Sequence, residues 1–101
     1  MKEEARIFVS KCNPDICIGV IVRGIGVDGV VSGKNCRETC SQLTEKGYLG
    51  ELRYFIGDCS CGLVESPIST PYIENLLRVL DRDVGLWYKI TVELLKNRDN
   101  E

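Results

Sequence analysis

The chain has 101 residues, 44% hydrophobic and 28% charged, with 13 basic against 15 acidic side chains. That length and balance describe a single globular domain spanning residues 1–101 and exclude an intrinsically disordered chain. Lys and Arg are scattered rather than gathered in a stripe, so no nucleic-acid partner is expected, because backbone binding relies on clustered positive charge.

The opening MKEEARIFVSK lacks the long apolar stretch of a secretory signal. The longest apolar run, ICIGVIV at 16–22, is far too short to cross a bilayer. The expectation is a cytoplasmic protein with no membrane partner. Against that compartment stand six cysteines and no histidine. A reducing cytoplasm disfavours permanent disulfides, with intracellular hyperthermophile proteins as the exception.

Residues 5–11 (ARIFVSK) and 16–24 (ICIGVIVRG) alternate as strands, separated by the turn signal Asn13-Pro14-Asp15. A four-residue loop over 13–16 sets Cys12 opposite Cys17 and pairs Ile7 and Val9 with Val22 and Val20 on a core face. Cys12, Cys17, Phe8 and Ile21 then fall on the other face. Asp28-Gly29 signals a second hairpin turn. Asn35 is a helix cap with Glu38 three residues on, and Gly47 stops that helix. Its inward stripe is Cys36, Cys40 and Leu43.

Residues 50–56 (GELRYFI) form the next strand. Gly57-Asp58 reads as a two-residue turn into a return strand over 59–65, with Ile56 facing Cys59, Tyr54 facing Cys61 and Leu52 facing Leu63. Thr70-Pro71 opens a second helix with Ile73, Leu76, Leu77 and Leu80 on one face. Residues 86–95 (LWYKITVELL) alternate as a last strand.

This order predicts an α+β fold. It is a two-layer sandwich with a mostly antiparallel sheet and both helices on one face. A ferredoxin-like βαββαβ unit plus an N-terminal strand fits best, with a profilin- or PAS-like meander as the alternative. The element order is similar to that of small-molecule sensor modules such as the ACT domain, although no motif in the chain is specific to such a family.

GIGVDG at 24–29 matches the dinucleotide pattern G-x-G-x-x-G, but that chemistry needs a helix to open at the last glycine. VVSG follows instead, so the segment reads as a bent, glycine-rich hairpin. Without histidine, Ser-His-Asp and Cys-His catalysis and histidine-ligated zinc are excluded.

The thiols fall in three close pairs. Cys36, Cys40, Cys59 and Cys61 converge if the first helix packs on the hairpin that follows it. Three readings compete there: small apolar filler, a disulfide between helix and strand, and a metal site holding zinc or an iron–sulfur cluster. Cys12 and Cys17 form a separate candidate disulfide or redox pair, since directly opposed strand residues can have Cα atoms in the roughly 4.4–6.8 Å range such a bond needs.

With no catalytic set, the first functional expectation is a non-enzymatic binding or regulatory module with no resident cofactor. It would be a homodimer through the sheet face bearing Phe8 and Ile21, with a small-molecule ligand beside the sheet. The alternative is a cysteine-based metal or thiol-redox protein.

Overall fold

The structure, a computed structural model, describes residues 6–82 together with Lys89. The strand expected over 86–95 lies outside these residues except for Lys89.

β1 (Arg6–Cys12) and β2 (Cys17–Arg23) form the expected hairpin. Its register pairs Ile7 with Val22, Val9 with Val20 and Cys12 with Cys17. The Asn13 side chain makes the turn by accepting the backbone N–H groups of Asp15 and Ile16, both at 2.8 Å.

β3 (Gly26–Gly33) pairs antiparallel with β2, but the turn between them is not at Asp28-Gly29. The chain reverses at Gly24-Ile25, where Gly24 takes φ +65. Glycine at the first central position is what a tight hairpin turn of this hand requires. The pairing shifts between Ile21 and Val22, opposite Gly29 and Val27, so Asp28 is the extra residue of a bulge. The bulge turns the Asp28 carboxylate onto Arg6, whose Nε donates to it at 2.8 Å.

α1 (Cys36–Glu45) is capped as its sequence predicts, with Asn35 Oδ1 accepting the Glu38 N–H at 2.9 Å. Glu38 reaches back one residue further than expected and accepts the Lys34 N–H. At the other end, the N–H groups of Gly47 and Tyr48 bond the carbonyls of Thr44 and Leu43, which closes the helix. A short 3-10 turn, Leu49–Glu51, leads into β4 (Leu52–Gly57).

After β4 the structure departs from the expected hairpin. Residues 59–63 form an irregular turn, and β5 (Val64–Glu65) runs parallel to β4, pairing Tyr54 with Val64 and Phe55 with Glu65. The physical reason lies at Gly57-Asp58. Gly57 has φ +110 and sits against the Ser10 carbonyl. Asp58 Oδ2 accepts the Cys12 N–H at 2.8 Å. These contacts carry the chain across the end of β1 rather than back along β4. α2 (Pro71–Arg82) follows, its first turn capped by Thr70 Oγ1.

The sheet order is β3-β2-β1-β4-β5, and β1 pairs parallel with β4. The fold is therefore α+β with a mixed five-stranded sheet and two helices. Its strand order is not that of a ferredoxin-like βαββαβ unit, and two of the four strand pairs are parallel.

The helices also do not share one face. Ile73, Leu76 and Leu80 of α2 pack with Val9, Val20, Val22 and Val30. Leu43 of α1 packs with Phe8, Ile21, Val31 and Leu52 on the opposite face. Phe8 and Ile21 are each 0% exposed. The apolar residues expected to mediate a sheet-to-sheet homodimer are thus covered within the chain by α1.

Candidate functional site

The carboxyl ends of β1 and β4 lie side by side, and the chain leaves them in opposite directions along the sheet, β1 toward β2 and β4 toward β5. That place is occupied by sulfur.

Three disulfides are formed, Cys12–Cys17, Cys36–Cys59 and Cys40–Cys61, and every cysteine is used. Cys12–Cys17 closes the first hairpin across a Cα separation of 4.0 Å, below the roughly 4.4–6.8 Å usual for such a bond. Cys36–Cys59 and Cys40–Cys61 each tie α1 to the turn after β4, both with Cα atoms 5.3 Å apart.

Placing α1 on the Phe8 face unites pairs that the alternation of the strands had kept apart. Cys12 Sγ lies 3.7 Å from Cys59 Sγ and 3.8 Å from Cys36 Sγ. Oxidised sulfur carries no hydrogen, so these are close contacts between two disulfides. The sulfur atoms of Cys12, Cys17, Cys36 and Cys59 all lie within 4.8 Å of one another. Cys17 and Cys59 are buried, and Cys12 and Cys36 are half-buried.

Of the four inner cysteines proposed from sequence, Cys36 and Cys59 enter this cluster. Cys40 and Cys61 form the neighbouring bond one helical turn along.

The surrounding polar groups hold the cluster's backbone. Ser10 is 0% exposed, and its hydroxyl accepts the Cys59 N–H at 2.8 Å. Its carbonyl accepts the Asp58 N–H. Thr39, also fully buried, donates to the Asn35 carbonyl and locks the first turn of α1 beneath Cys36. Cys61 takes φ +51, an uncommon value for a residue other than glycine, in the turn that its bond to Cys40 holds.

Sequence reasoning missed Ser10 and Thr39. Ser10 follows Phe8 and Val9 inside a buried strand, and Thr39 lies one residue from the cysteine stripe. A polar residue inside an apolar pattern is a signal for a buried hydrogen bond.

Away from the sulfurs, an apolar cleft of about 270 Å³ runs between the sheet and the segment before α2. Ile7, Val22, Tyr54, Ile68 and Ile73 line it. It falls just under the roughly 300–1,000 Å³ usual for small-molecule sites. Among the described residues no helix is long and apolar enough to cross a membrane.

The chain matches no protein-family model, no curated protein and no solved structure.

Proposed function

We propose that the protein is a thiol–disulfide redox module in which Cys12–Cys17 and Cys36–Cys59 exchange electrons with each other. One observation carries this reading: Cys12 Sγ lies in contact with both sulfurs of the second disulfide, at 3.7 and 3.8 Å. Disulfides isomerise by attack of a thiolate on a neighbouring sulfur, so rates depend on access and approach.

An external dithiol attacks the half-buried Cys12 Sγ and expels the Cys17 thiolate. Its second thiol resolves the mixed disulfide, leaving as an oxidised disulfide and freeing Cys12. The Cys12 thiolate attacks Cys59 Sγ, forms Cys12–Cys59 and expels the Cys36 thiolate. Cys17 then attacks Cys12, restores Cys12–Cys17 and releases the Cys59 thiolate. The net result moves two electrons from the outside reductant to the bond between α1 and the turn after β4.

A Cys17→Ser variant tests the relay, because it leaves Cys12 as a free thiol beside an intact disulfide. Alkylation of the folded, metal-free variant followed by peptide mapping is expected to find a fraction of chains with Cys12 bonded to Cys59 or Cys36. Finding Cys36–Cys59 alone, with Cys12 alkylated throughout, overturns the reading.

A further inference from the structure

We infer that the same four sulfurs, once reduced, form a tetrathiolate site for one soft divalent cation of the zinc type, so that the cluster trades two disulfides for one bound metal. This rests on the reading that both disulfides open reversibly.

The geometry is close to such a site already. Zinc–sulfur bonds of about 2.3 Å in a tetrahedron place neighbouring sulfurs about 3.8 Å apart. The two contacts that Cys12 makes across the disulfides are 3.8 and 3.7 Å, and no pair among the four sulfurs exceeds 4.8 Å. Only the two bonded pairs must separate, which rotation of the side chains achieves once the bonds are broken. Sulfurs this close surround a single ion.

The supporting elements fit the same role. Cys12 and Cys17 flank a four-residue loop on a hairpin, near the two-to-four-residue spacing of structural zinc ligands. Cys36 is the first residue of α1, at the positive end of the helix dipole, which favours an anion there. The Cys59 backbone is pinned by Ser10 Oγ. Cys40–Cys61 lies outside the set of four. With no histidine in the chain, the soft donors are all sulfur, which selects thiophilic metals over magnesium or calcium.

Loading requires two equivalents of a dithiol reductant, which supply four electrons and four protons and leave as two disulfides. The cation then displaces the four thiol protons. Oxidation by a disulfide-class oxidant reverses the sequence and releases the metal.

The test is cobalt(II) titration of the full chain under anaerobic conditions, after reduction and removal of the reductant. The expected result is one cobalt per reduced chain, with the visible absorption of tetrahedral thiolate coordination, abolished by zinc, and none in the oxidised chain. Cys40→Ser/Cys61→Ser is expected to retain the spectrum, and Cys12→Ser/Cys17→Ser to lose it. No tetrahedral spectrum in the reduced chain, whether folded or unfolded, overturns the proposal, as does a spectrum that survives Cys12→Ser/Cys17→Ser. Exchange in the metal-free Cys17→Ser chain without cobalt binding sinks the metal site alone. Cobalt binding without that exchange sinks the relay alone.

Discussion

Cys36–Cys59 and Cys40–Cys61 tie the same two segments, and this nesting fixes what each is worth. Taken alone, a bond closing a loop of 21 residues stabilises by about 3.3 kcal/mol through the lost entropy of the unfolded chain. With Cys36–Cys59 intact, however, the unfolded chain already holds those segments together. The second bond then closes only the small ring through residues 36–40 and 59–61, six steps along the chain on the same count, worth about 2 kcal/mol.

Cys40→Ala/Cys61→Ala is therefore expected to lose about 2 kcal/mol in oxidising denaturant unfolding. In a Cys36→Ala/Cys59→Ala background the same change costs about 3.3 kcal/mol. Loss of both bonds totals about 5.5 kcal/mol, comparable to the low end of the roughly 5–15 kcal/mol that stabilises a whole domain. That variant is expected to be barely folded. A loss of 3 kcal/mol or more on removing Cys40–Cys61 alone, with Cys36–Cys59 confirmed intact by thiol counting, would refute the shared-ring reasoning.

Two further predictions concern the packing that brings the sulfurs together. Phe8→Ala is expected to cost about 3–5 kcal/mol in the same unfolding assay, the range for a buried phenylalanine. A change within about 0.5 kcal/mol, as on an exposed face, would mean that α1 does not cover Phe8. Gly57→Ala combines a forbidden φ with a collision against the Ser10 carbonyl. It is expected to destabilise by about 1–3 kcal/mol, and a neutral or stabilising effect in thermal unfolding would contradict the crossing over the end of β1.

The first hairpin was legible down to its register, because alternation in both strands and the Asn-Pro-Asp turn act on neighbouring residues. So were both helices and their caps, since Asn35 and Thr70 bond groups within three residues of themselves. The near-continuous apolar run ICIGVIV also carried a signal of burial on both faces, and β2 is buried from Cys17 to Val22. Read as simple alternation, it left Phe8 and Ile21 facing outward.

What local pattern does not contain is the direction of the chain after β3 and after β4. α1 connects two strands of the same direction, and the handedness of such crossovers, not the helix's own sequence, selects its face of the sheet. The turn after β4 is set by Ser10 and Cys12, which lie more than 45 residues away in sequence from their partners Asp58 and Cys59. The sequence by itself determined the first hairpin, the two helices and which cysteines share a helix or a turn. Only the tertiary structure decided that Cys12 and Cys17 meet Cys36 and Cys59, because that meeting depends on which face α1 covers.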